Sequence, residues 1–224
     1  MKISTPSNPT SGTRLFRWIE PQTYSDLYYG VWYYFPQGYT PTTFWNVFQW
    51  KSKGTVEGNN PFFILNVGNR PPGDTNPGAM FFYLYNQNTL TSYSPQTYIN
   101  VPVAGWTHVQ AHYVCDPVNG HVTFWQDGTQ IFDVSSVGTR YADGDCQWSV
   151  NNYSDSISPT PATIYVDDAA SFRLGSPFPL SLHWTGFALS RFFSCCSTTW
   201  AMNALFLFSL ARLACSDFLS SAAS

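Results

Sequence analysis

The chain has 224 residues, 18% of them aromatic and only 10% charged, with a formal net charge of −3. Phosphate recognition needs clustered Lys and Arg, and ten such residues scattered without a block exclude nucleic acid as the expected partner. Polarity comes instead from Asn, Gln, Ser, Thr and Tyr. Rings that stack on sugar faces beside amides that bond hydroxyls suit a polysaccharide or oligosaccharide partner, with membrane association not expected.

The chain opens with MKISTPSNPTSG, which lacks the apolar core of a signal peptide. Residues 1–12 are expected to be disordered. From residue 13 to 175 the pattern is strand, turn, strand. Candidate strands are 14–20, 27–35, 44–52, 61–67, 79–86, 97–101, 106–115, 121–127, 129–134, 146–153 and 162–174. They are rich in β-branched and aromatic residues and separated by Gly, Pro, Asn and Asp. No stretch here sustains a helical apolar period. Short strands without helical crossovers predict an all-β antiparallel sandwich or barrel.

Two of the five cysteines, Cys115 and Cys146, fall in the strand-rich part and could pair, which the sequence leaves open; Cys195, Cys196 and Cys215 follow it. No Cys/His spacing suits zinc and no Asp/Asn cluster suits Ca²⁺, so no metal or cofactor is expected. Residues 176–224 lose the strand–turn rhythm and are expected to form a tail without a defined fold, disordered or partly helical. Trp200 to Ala214 is apolar, but it contains Asn203 and Arg212 and falls short of the roughly 20 residues a membrane span needs.

GWTHVQAHYVCDPVNGHVTFWQDGTQIFDV, residues 105–134, places a Trp at the start of a long strand. Asn119-Gly120 and Asp127-Gly128 then supply tight turns. This arrangement resembles the central hairpins of concanavalin A-like jelly rolls. Within that superfamily the chain resembles the polysaccharide lyases grouped with heparin lyase I and, more distantly, the jelly-roll alginate lyases. LYYGVWYYFPQGY, NVFQWKS, QWSVNNYSD and ATIYVDDAA carry the likeness, which runs from about residue 12 to 174. It implies an antiparallel β-sandwich jelly roll, a secreted or cell-surface monomer, and β-elimination on a uronate-containing polysaccharide. That chemistry needs a group to neutralise the C5 carboxylate, a base for the C5 proton and an acid for the leaving oxygen.

On the resemblance, Gln49 matches the carboxylate-neutralising Gln, and Tyr153 resembles the tyrosine acid of the alginate lyases. Lys51, the third catalytic candidate, could neutralise the carboxylate or act as base, but it stands where those enzymes have His, which leaves a non-catalytic carbohydrate-binding or adhesion domain as the alternative. Alternation puts Gln147, Ser149, Asn151 and Tyr153 on one face of their strand. The first three are candidate substrate contacts, together with Arg14, which comes from a strand whose Arg14 and Arg17 depart from the alginate-lyase arginine spacing. Applied to FWNVFQWKSK, residues 44–53, strict alternation sends Trp45, Val47, Gln49 and Lys51 to the groove. It sends Phe44, Asn46, Phe48 and Trp50 to the core. Trp45 is therefore expected to bind sugar and Asn46 to need a buried partner. His108, Gln110 and His112 are expected on the exterior face of the opposite sheet. Asn152-Tyr153-Ser154 is a formal glycosylation sequon, discounted because it falls in the expected groove.

Overall fold

The computed structural model describes residues 2–5, 11–20 and 25–173; the expectations for residues 176–224 lie outside them. Fourteen strands occur among the described residues: β1 (Lys2–Thr5), β2 (Ser11–Glu20), β3 (Asp26–Tyr34), β4 (Thr40–Pro41), β5 (Trp45–Gly54), β6 (Gly58–Asn69), β7 (Met80–Asn86), β8 (Thr91–Tyr93), β9 (Trp106–Val114), β10 (Gly120–Gln126), β11 (Thr129–Val137), β12 (Cys146–Ser154), β13 (Ile157–Ser158) and β14 (Ala162–Phe172). A back sheet runs β1-β14-β3-β9-β10-β11 and a front sheet runs β2-β12-β5-β6-β7-β8, with β4 and β13 pairing separately. The strand pairs within these sheets are antiparallel. The arrangement is the expected jelly-roll sandwich.

The inward faces explain why these segments are strands. β3 alternates so that Leu27, Tyr29, Val31 and Tyr33 are buried, and β9 does the same with Val109, Ala111 and Tyr113. These meet Phe48, Trp50, Trp148 and Val150 from the front sheet. Trp50 stacks on Tyr113 at 4.1 Å between ring centroids, and Tyr29 lies 4.9 Å from Trp148. The Tyr33 hydroxyl donates to the Val47 carbonyl at 2.7 Å, so its polar end is satisfied inside the core. Cys115, just after β9, is bonded to Cys146 at the start of β12, tying the back sheet to the front.

Two segments differ from the sequence reading. Lys2–Thr5, within the stretch expected to be disordered, pairs with Ala162–Tyr165 of β14. Its hydrogen bonds come from a distant edge, which local sequence does not advertise. Residues 97–101, expected to be a strand, supply only the isolated Phe81–Asn100 bridge, while Thr91–Tyr93 takes the place beside β7. The Asn86 side chain accepts from the backbone amides of Asn88 and Thr89, closing the turn that brings Thr91 back against β7.

Candidate functional site

The outward face of the front sheet gathers the polar residues. In β12, Trp148 and Val150 point into the core, so Gln147, Ser149, Asn151 and Tyr153 share the opposite face, as alternation requires. β5 behaves differently. Its pairing with β6 slips by one residue between Asn46 and Phe48, a bulge at Val47. Val47 and Phe48 are both in the core, and the parity of the strand reverses there.

Asn46 is therefore on the front face beside Gln49, not in the core. Trp45, expected to bind sugar, is fully buried instead. It packs 5.5 Å from Phe35 and 5.2 Å from Tyr39, and its indole N–H donates to Asn152 Oδ1 at 2.7 Å. Phe44, expected inside, is only partly buried and rests 5.4 Å from the Tyr153 ring. Asn152 is fully buried and donates to the Ala162 carbonyl, so the folded chain offers no acceptor amide at the sequon.

Arg14 orders the amides. Its Nε donates to Asn151 Oδ1 at 2.9 Å and its Nη2 to Gln49 Oε1 at 3.3 Å. Asn151 Nδ2 then donates to Asn46 Oδ1 at 3.0 Å. A guanidinium has only donors, so the Gln49 and Asn151 oxygens must face it. The amide groups of Gln49 and Asn46 are thereby turned to present N–H. The result is a donor-rich floor with a fixed positive charge, complementary to a carboxylate. Around it, Gln147 Oε1, Ser149 Oγ and Asn66 Oδ1 are buried without a hydrogen-bond partner. Buried polar atoms in that state are the ones a ligand hydroxyl would satisfy.

Register places the remaining candidates along this floor. Ser149 is opposite Gln49, Gln147 opposite half-buried Lys51, and Tyr153 opposite Asn46. Tyr153 is 40% exposed. It lies over Gly12, where an added Cβ would come within 2.5 Å of its ring, so the position requires Gly. At about 3.3 Å per residue, the backbone from Asn46 to Lys51 spans roughly 16 Å. Gln49 thus sits between two flanking groups, Tyr153 on one side and Lys51 on the other.

Sequence reasoning missed the neighbouring strands. Met80, Phe82 and Leu84 of β7 are in the core, so Phe81, Tyr83 and Tyr85 face outward beside Gly68, Asn66 and Ile64 of β6. The alternation in FFYLY carries that signal. Burial first, and then Asp155 and Tyr85, push the Tyr83 phenol up to about 12. Tyr83 is therefore a neutral ring at physiological pH. Arg17 contributes backbone pairing opposite Ser149. Among the described residues no group of three or more His, Cys, Asp or Glu is arranged to hold a metal ion.

No protein-family model and no curated protein matches the chain. Solved structures do. An alginate lyase from Pseudomonas aeruginosa superposes with a TM-score of 0.52 at 10% identity, over 74% of this chain and 74% of that one. An alginate lyase solved with alginate trisaccharide gives 0.51 at 14% identity, over 77% and 81%. An endo-β-1,4-glucuronan lyase from the fungus Trichoderma reesei gives 0.49 at 13%, over 76% and 79%. The fold of this chain is the antiparallel jelly roll of the two alginate lyases.

Proposed function

We propose that the protein is a polysaccharide lyase that cleaves a uronate-containing polymer by β-elimination on the front face. The observation that carries this reading is the Arg14-ordered amide floor formed with Asn151, Gln49 and Asn46. The C5 carboxylate sits on the Gln49 and Asn46 amides beside the Arg14 charge, which stabilises the negative charge that builds when the C5 proton leaves. Tyr153 takes that proton and returns one to the glycosidic oxygen. The C5–H electrons form the C4–C5 double bond as the C4–O bond breaks. Lys51 holds the carboxylate of the adjoining sugar, and Gln147 and Ser149 receive its hydroxyls. Kinship with the heparin lyase I group rests on the NVFQWKS segment. The Cys115–Cys146 bond fits a protein that works outside the reducing cytosol, and the reading takes it as a monomer.

A second reading, binding without turnover, is favoured by the ring row of Phe81, Tyr83 and Tyr85, which offers a stacking surface. The two separate cleanly in one experiment. Alginate, glucuronan, heparin and pectin are each incubated with the protein and followed by the ultraviolet absorbance of the unsaturated product. At least one is expected to give product, with Gln49→Ala and Tyr153→Phe each lowering the rate by about 10²-fold or more. Retention of these glycans without any product would leave binding alone.

A further inference from the structure

The outward face of the back sheet has an order of its own. Cross-strand partners stack: Trp32 on His108 at 4.5 Å and 6°, and Tyr28 on His112 at 4.4 Å and 17°, with Phe172 on the other side of Tyr28 at 5.6 Å. Near-parallel rings on neighbouring strands stand face to face across the strand gap, so their edges point along the strands. Between the two stacks the row is Ala170, Gly30, Gln110, Trp125 and Gln130, across β14, β3, β9, β10 and β11. Tyr28 and Trp32 are four residues apart, roughly 13 Å. Apart from the Gln110 side chain, the row between them holds only Ala170 and Gly30 before Trp125. It is a trough with ring edges for walls, a Gln110 amide in its floor and an indole at one end.

Packing does not require Gly30. An added Cβ would meet only His108 Nε2, at 3.4 Å, and Gly30 is not among the residues with positive φ. A glycine inside a central strand costs about 0.5–1 kcal/mol relative to Ala and often marks a close approach by a ligand. Charge narrows the ligand. The sequences of β3, β9, β10, β11 and β14 contain no Lys or Arg. Their acids include Asp26 and Asp133, which are paired with His112 and His121, and the exposed Asp167 opposite Trp32. An anionic polymer would be repelled. A hydroxyl-rich neutral one matches the amide and the electropositive ring edges.

We propose that the trough over Gly30 binds a chain of an uncharged polysaccharide, on the face opposite the Arg14 floor and independently of any lyase activity there. The test is native affinity electrophoresis of the full chain in gels containing glucomannan, xylan or mixed-linkage β-glucan, with alginate as the acidic comparison. At least one neutral glycan is expected to retard the protein. Gly30→Leu, which fills the trough while keeping or raising Tm, and Trp125→Ala should each weaken that binding at least about ten-fold. Gln49→Ala should leave it unchanged. No retardation by any of the three neutral glycans, or retardation that survives Gly30→Leu, overturns the proposal. Loss in Gln49→Ala would instead assign the binding to the front face and overturn it equally.

Discussion

Arg14 exerts its influence through geometry as much as charge. Its planar fork reaches two acceptors on two strands at once, Asn151 in β12 and Gln49 in β5. Lys keeps the charge but not the fork. Under the proposed lyase activity, Arg14→Lys is therefore expected to lower kcat/KM on a uronate polymer by at least about ten-fold with little change in Tm, read by steady-state kinetics and thermal unfolding. The front-face placement of Gln49, Gln147, Ser149, Asn151 and Tyr153 was legible in the sequence because it follows from simple alternation. Asn46 was not, because nothing in its own residue type distinguishes a groove amide from a capped core amide. His108 offers a second residue-scale test. Burial lowers its pKa below 6.5, against the opposing pull of Asp127 and Asp168. A histidine held neutral by folding contributes stability that is complete above its unfolded value of about 6.5 and is lost as pH falls toward the folded value. Tm should fall as pH drops from about 7 to about 5, and His108→Gln should flatten part of that slope.

At the scale of elements, β5 decides the site. One extra residue at Val47 turns Trp45 into the core and Asn46 to the front face; without it both would change sides. Deleting Val47 is expected to cost more than about 3 kcal/mol in urea unfolding, the order of losing a buried Trp from a core. It should also abolish front-face binding, and a variant of unchanged stability would show the bulge to be incidental. A bulge of this kind is set by how three strands match across the sheet, since β12 shifts against β2 and β5 in the same region. Local sequence carries no mark of it, which is why strict alternation misplaced the first half of FWNVFQWKSK and placed the second half correctly. The same distinction separates β7, written plainly in AMFFYLYN, from β1, whose partner lies some 160 residues away.

For the whole molecule, chain ends and sheet faces are coupled by long-range pairing: β1 closes on β14, and β2 on β12. The Cys115–Cys146 bond adds a covalent tie across a sequence separation of 31. Replacing either cysteine by Ser is expected to remove about 2–4 kcal/mol of stability, measured by urea unfolding of the oxidised protein. Equal stability with and without reductant would contradict it. The fold class was readable at this scale because a strand–turn rhythm without helices leaves few architectures. Which polar side chains meet on one face was not, since that depends on strands far apart in sequence.

One of the back sheet's flanks ends in β11, a nine-residue strand whose only strand neighbour among the described residues is β10, with the loop amide of Gln96 donating to its Ile131 carbonyl at 2.8 Å. A bare strand of that length is a template for another chain's backbone. Here it carries an exposed Asp133 and, at Ser136, a left-handed kink with φ of 56°. The charge and the twist deny a second molecule a straight ladder to join. Edge-to-edge association of this aromatic-rich protein is thus resisted at the rim of the back sheet, by two small polar residues.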